Sequence, residues 1–345
     1  MAVNPYTLVF GREPEEMISR IAPEEEILED FRSEKPANQI YLITGVRGVG
    51  KTVFMTSISN QLKKEDWICV ELNPERDMLT SLASKLCSRD WLAQLFQSAR
   101  INLSFWGFGL EVNGVAPITD IETALERMME TIRRNNRRLL ITIDEVSNTP
   151  LMRTFVSAFQ IFMRQDLPIY LLMTGLHEKI NELKDAENLT FLYRAPQLQL
   201  MPLSIGAIAN NYQQNFHKTQ EEALKMAYIT NGYSFAFQLL GYLTWKREGD
   251  YQACLAEYGQ QLEEKVYGKI WSGLSGNDQK ICRAIAKSKE GKAAEIIELS
   301  EINPNAWGPY RARLLQKGIV EASTYGHVSF VLPMFREFVL TRVFV

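Results

Sequence analysis

Short runs of consecutive apolar residues alternate with stretches whose apolar positions recur every three or four residues. Residues 39–44 form one such run and end in a glycine-rich turn, after which Phe54, Ile58 and Leu62 keep one helix face apolar. Residues 67–72 predict a second strand, stopped by Asn73-Pro74, and residues 78–96 predict one helix. Residues 101–105 alternate, as do 110–112 after glycines, which predicts a hairpin insertion. Thr119 and Glu122 have capping-box spacing ahead of a helix whose apolar face is Ile121, Leu125, Met128, Met129 and Ile132. Strands are expected over 139–143, 169–173 and 197–201, with a helix around Phe155 and Phe159. A further helix is expected over 23–33, with Pro23 at its first position and acids in its first turn. Strands apolar on both faces, alternating with helices, predict an α/β fold with a mostly parallel sheet covered on both sides.

After Pro202 the pattern changes. Residues 204–270 read as helices only, with a break at Asn231-Gly232. Residues 271–345 show three short helix patterns and then two short strands, 319–322 and 328–331, joined through Gly326. That order predicts a winged helix-turn-helix.

Composition narrows the class. The 345 residues suffice for two or three domains, and 46% apolar with 23% charged residues excludes a disordered or collagen-like chain. The 38 basic and 41 acidic residues give −3, so any nucleic-acid contact must be local. Cys69, Cys87, Cys254 and Cys282 are scattered and read as reduced, buried thiols of a cytoplasmic protein. His177, His217 and His327 have no metal spacing. No apolar run approaches the ~18 residues of a membrane span, and Met1–Pro5 lacks the marks of a secretory signal.

Gly45-Val46-Arg47-Gly48-Val49-Gly50-Lys51-Thr52 fits G-x-x-x-x-G-K-[ST] between a strand and a helix. Gly45, Gly48, Val49, Gly50, Lys51, Thr52 and Val53 are the candidate phosphate contacts. Glycines let the backbone curl so that its N–H groups and the positive helix end face phosphate oxygens. Lys51 is placed for the β- and γ-phosphates, and the Thr52 hydroxyl for Mg²⁺. The strand 139–143 ends in Asp144-Glu145. Asp144 is expected to hold Mg²⁺ through water, and Glu145 to polarise the water that attacks the γ-phosphate.

These two motifs resemble the Walker A and Walker B of the AAA+ and STAND ATPases. Val9-Phe10-Gly11-Arg12-Glu13-Pro14-Glu15 is similar to the hhGRExE motif that precedes Walker A in STAND and replication-initiator-like ATPases. The resemblance implies an adenine pocket lined by Phe10, Gly11 and Arg12. It also implies sensor 1 at Thr174, an arginine finger at Arg194 within Leu192-Tyr193-Arg194, and a lid turn at Gly232-Tyr233-Ser234, with Tyr233 a nucleotide contact. Ser234 replaces the proline usual in that turn. No arginine stands at the usual sensor-2 place, and Gly175-Leu176-His177 follows Thr174 where STAND members often carry arginine. The layout resembles archaeal-type ATPases and origin-recognition initiators: an AAA+ P-loop core over 1–203, a helical lid over 204–270 and a winged helix over 271–345.

In the last segment Gly308-Pro309 is expected to start a recognition helix with Leu314 and Leu315 facing the core. Arg311, Arg313 and Lys317 are candidates for DNA phosphate contact. Ten basic and seven acidic residues give residues 271–345 a net +3. The alternative is a winged helix that meets only protein. The expected function is ATP- and Mg²⁺-dependent hydrolysis driving a conformational switch, with ATP or ADP bound, no membrane partner, and a homo-oligomer if Arg194 acts on a neighbour. The other reading is a nucleotide-gated scaffold with negligible turnover. A small-molecule kinase is a third, which Glu145 and the lid-plus-wing layout argue against.

Overall fold

The apolar runs of the first half are buried on both faces, as their composition requires. They form strands β1 (Ile40–Thr44), β2 (Ile68–Leu72), β3 (Leu139–Ile143), β4 (Ile169–Gly175) and β5 (Gln197–Gln199). Every residue of β1, β3 and β4 is buried. The computed structural model describes residues 3–9, 11, 13–322 and 324–342. These fall into two units. One comprises Ile21–Thr44 and Thr52–Gln199; the other comprises Gly45–Lys51 and the described parts of Met1–Arg20 and Leu200–Val345.

In the first unit all strand pairs are parallel, in the order β2-β3-β4-β1-β5. The fold class is α/β, as the pattern predicted. Register aligns Ile43 with Thr174, Thr44 with Gly175 and Ile143 with Met173. The carboxyl ends of β1, β3 and β4 therefore share one edge. The chain leaves β1 for the far side of the sheet while β5 pairs on its other side, the kind of place where open α/β sheets bind ligands. Helices α1 (Ile21–Arg32), α2 (Lys51–Lys64), α3 (Met78–Cys87), α4 (Asp90–Ser98), α5 (Ile121–Arg134), α6 (Pro150–Arg164) and α7 (His177–Lys184) belong to this half of the chain. Met128 and Met129 are core residues with no accessible surface.

Four local expectations are corrected. The helix expected over 78–96 is two, α3 and α4, because Arg89 turns extended and its guanidinium donates to the Cys69 carbonyl at 2.5 Å. The hairpin expected over 101–112 is a loop with a 3₁₀ turn at Ser104–Trp106. Buried Asn102 accounts for the difference. Its side chain accepts from Ser104 N–H at 3.0 Å and donates to Val115 O at 2.7 Å, so local side-chain bonds replace a ladder. The cap of α5 is Asp120, which accepts from Thr123 N–H at 2.7 Å, rather than Thr119. Helix α1 starts at Ile21, two residues ahead of Pro23.

The second unit holds α8 (Ile205–Phe216), α9 (Gln220–Thr230), α10 (Ser234–Lys246), α11 (Leu255–Leu262), α12 (Gly268–Ser272), α13 (Gly276–Lys287), α14 (Ala293–Ser300), α15 (Trp307–Gln316) and α16 (Phe335–Thr341). Thr219 and Glu222 form a capping box at the start of α9. Asn231 (φ 47) and Gly232 (φ 72) end that helix in the left-handed region. A side chain at Gly232 would lie 2.5 Å from the Leu203 carbonyl, so the turn needs glycine for space as well as for its dihedral. After α13, α14 and α15 come β6 (Val320–Glu321) and β7 (Ser329–Phe330), an antiparallel pair. Leu314 is buried and Leu315 half-buried. All four cysteines are buried and unbridged. No helix among the described residues is long and apolar enough to cross a membrane.

Candidate functional site

The glycine-rich turn follows β1 directly and opens α2, the strand–turn–helix order that its chemistry needs. Lys51 Nζ folds back over the turn, donating to Gly45 O at 2.9 Å and Val46 O at 3.2 Å. Val49 N–H closes the turn onto Val46 O at 3.2 Å. The outer side of the turn is tied to the start of α10. The Tyr233 hydroxyl donates to Arg47 O, Phe235 N–H to Gly48 O at 3.1 Å, and the Ser234 hydroxyl to Val49 O at 2.8 Å. Three consecutive carbonyls thus accept from three consecutive residues of α10 and its cap. In a trans peptide the N–H points opposite to the C=O. Holding these carbonyls from outside turns the N–H groups of Gly48 and Gly50 to the other side, the orientation in which such turns cradle anions.

Gly48 is required here. It lies at φ 80, and a side chain on it would run into the Tyr233 hydroxyl and come within 2.9 Å of the ring carbon that bears it. Burial pushes the Tyr233 hydroxyl well above its ordinary pKa, so it stays protonated and remains a donor.

A second cluster lies within the first unit, at the carboxyl edge of the sheet. Thr52 Oγ1 donates to Asp144 Oδ2 at 2.6 Å, and Thr174 Oγ1 donates to Asp144 Oδ1. Both carboxylate oxygens are thereby fixed by hydroxyls from α2 and β4. Glu145 N–H reaches Asp144 Oδ1 at 2.9 Å and Thr174 Oγ1 at 3.4 Å. Glu145 itself adopts φ 52 with its side chain exposed. Left-handed geometry at a non-glycine residue is costly, and it clusters where a side chain must be aimed.

Thr52, Asp144, Glu145 and Thr174 therefore gather at one sheet edge. Arg194, itself exposed, ends the 3₁₀ turn Thr190–Arg194, whose Leu192 is buried, and bonds to none of those four among the described residues. Val53 is half-buried in the first turn of α2. Gly11 lies in a turn at φ 72, while Phe10 and Arg12 lie outside the described residues. Arg313 stays 43% exposed while its guanidinium pairs with buried Asp278. Sequence reading missed Arg20, which reaches the turn and α10 together, and the Phe235 backbone. No local pattern marks either one.

A hydroxyl and a carboxylate are hard oxygen donors of the kind Mg²⁺ takes, together with phosphate and water. Among the described residues no group of three His, Cys, Asp or Glu gathers into a protein-only metal cage. Thr52 and Asp144 supply one donor of each kind.

Residues 37–208 match the family described as "AAA domain", and residues 264–339 match one described as "Domain of unknown function (DUF8462)". No curated protein matches the sequence. Among solved structures, the chain is similar to the Walker-type ATPase PABY2304 of Pyrococcus abyssi. The TM-score is 0.68 at 14% identity, over 94% of this chain and 97% of that one. It is also similar to the ORC2 protein of Aeropyrum pernix, solved as ADPNP–ADP complexes. There the TM-score is 0.56 at 14% identity, over 97% of this chain and 96% of that one. By motif, sheet order and these likenesses, the chain has the AAA+ type of P-loop ATPase fold.

Proposed function

We propose that the protein is an ATP-binding ATPase whose nucleotide state sets the position of its helical lid. The observation that carries this reading is the doubly anchored Asp144 carboxylate beside Thr52, the residue that directly follows Lys51. Charged phosphate oxygens are stronger partners for the Lys51 ammonium than the two carbonyls it now holds. Thr52 and Asp144 would hold Mg²⁺, which supplies charge neutralisation at the phosphates. Glu145 orients and deprotonates the attacking water, and Thr174 fixes Asp144 and that water. Gly11 and Tyr233, with Phe10 and Arg12, are the residues we assign to the nucleoside end.

The test is a pair of variants. Lys51→Ala should lose binding of fluorescent mant-ATP. Glu145→Gln should bind it like the parent yet release phosphate at least about a hundredfold more slowly, as removal of a general base does. Hydrolysis by Glu145→Gln at the parent rate removes Glu145 from this role.

A second reading is favoured by the clamp on the turn: three carbonyls are already bound to α10, which itself carries no arginine. In that reading the protein is a nucleotide-gated scaffold with negligible turnover, and phosphate release measured with and without duplex DNA separates the two. We read residues 1–203 as the AAA+ core, 204–270 as the lid and 271–345 as a winged helix. The helix–helix–helix–strand–strand order of the last segment supports that assignment. Arg311, Lys317 and the half-exposed Arg313, which also pairs with Asp278, are then the candidates for a DNA backbone or a protein partner, and Arg194 the arginine offered to a neighbouring copy. Four buried, unbridged thiols support a cytoplasmic setting.

A further inference from the structure

The described part of the N-terminal segment is strapped to the lid helices. Asn4 Nδ2 donates to Tyr242 O at 3.2 Å, the Tyr6 hydroxyl to Asn211 Oδ1 at 2.7 Å, and Gln238 Nε2 to Glu16 O at 2.6 Å. Thr7 N–H donates to Gln238 Oε1 at 3.1 Å, and Asn211 Nδ2 to the Glu16 carboxylate. The strap ends at Arg20, which stands where three pieces of chain meet. Its Nη2 is 2.8 Å from Val49 O in the phosphate turn, 3.1 Å from Ser234 Oγ at the first residue of α10, and 3.1 Å from Met201 O. Nε adds Met201 O at 3.3 Å.

Ser234 completes the joint. Its hydroxyl accepts from Arg20 and donates to the same Val49 carbonyl. Proline at this position would have no hydroxyl to do either. The Val49 carbonyl belongs to the peptide whose N–H is Gly50, so pinning that oxygen sets where the Gly50 N–H points. A rigid, five-donor guanidinium suits a joint with three acceptors; a lysine ammonium on a flexible stem does not.

We propose that Arg20 is a positioning residue for the nucleotide. With Ser234 it holds the Val49–Gly50 peptide in its phosphate-facing orientation, and so couples occupancy of the turn to the first turn of α10. This rests on the nucleotide-binding reading above. It adds a residue from outside the lid to the linkage between nucleotide and lid.

The test uses the full chain with mant-ADP and with ATP·Mg²⁺. Binding is read by fluorescence, and protection of the backbone amides of residues 232–240 by hydrogen exchange. Arg20→Gln and Ser234→Ala should each bind mant-ADP about tenfold more weakly, the scale of one hydrogen bond to a charged group. Each should also lose most of the nucleotide-induced protection of α10, and Arg20→Lys should not restore it. Asn4→Ala removes a strap contact remote from the turn, and should behave like the parent. Parent-like binding and protection in Arg20→Gln overturn the inference, and so does an equal loss in Asn4→Ala, which would mark general loosening. Failure of the parent to bind either nucleotide overturns the nucleotide reading and this inference with it. Binding by the parent with unaltered coupling in the variants overturns this inference alone.

Discussion

Replacing Gly48 with alanine tests whether the phosphate turn and Tyr233 are packed as described. Two costs add. A side chain held at φ 80 carries ~1–2 kcal/mol of left-handed strain. The new methyl would also overlap the Tyr233 hydroxyl, displacing it from Arg47 O and leaving a buried hydroxyl and a carbonyl unpaired, ~1–3 kcal/mol. The total of ~2–5 kcal/mol corresponds to a factor of roughly 30 to several thousand in an equilibrium constant. Tyr233→Leu alone opens a cavity and costs ~1–3 kcal/mol. In the double variant the overlap is gone, so Gly48→Ala should then cost only its strain. Urea denaturation of the parent, both single variants and the double should therefore give a coupling of ~1–3 kcal/mol, with the double more stable than the sum of the singles. Additivity within ~0.5 kcal/mol would refute the packing of Tyr233 on the turn.

Other outcomes follow from the same geometry. Asp144→Asn should leave Thr52 and Thr174 with a weaker, neutral partner and abolish Mg²⁺-dependent nucleotide binding, read by titration calorimetry with and without the metal. Arg313→Leu should destabilise by ~1–3 kcal/mol, because the Asp278 side chain, 2% exposed, loses its guanidinium partner, while the 43% exposure of Arg313 keeps the pair partly solvated. Replacing both residues by leucine should recover most of the loss in a denaturant midpoint. Stability should fall as pH rises from about 9 towards 11. Unfolded Cys87 ionises near its ordinary 9.0, whereas burial pushes the folded thiol up to about 11, so the unfolded chain gives up its proton first. Cys87→Ala should remove only its own part of that fall, leaving the contributions of Cys69, Cys254 and Cys282, whose thiols burial also pushes up, and of the buried tyrosines, whose hydroxyls are likewise pushed up.

The parts of the fold legible in the sequence are those written in consecutive residues. The runs at 39–44, 139–143 and 169–173 are apolar on both faces, and they are the strands that carry the phosphate turn, Asp144 and Thr174. What was missed depends on contacts distant in sequence. Arg89 breaks a helix by reaching Cys69 O, 20 residues back. Asn102 prevents a hairpin by bonding backbone up to 13 residues ahead. Arg20 meets Ser234 across 214 residues, and no periodicity or motif encodes that meeting. Arg313 reads as a surface cation until Asp278 is seen buried beneath it. Ser234, which stands where the resembling families carry proline, is in the structure a hydroxyl shared between the phosphate turn and Arg20.

Titration calorimetry of ATP against the parent and Asp144→Asn, each with and without Mg²⁺, tests whether Asp144 holds the metal of a bound nucleotide. Mg²⁺ should tighten ATP binding by about tenfold or more in the parent and do nothing for the variant. No heat of binding in the parent, or the same metal-dependent gain in both proteins, would contradict that role.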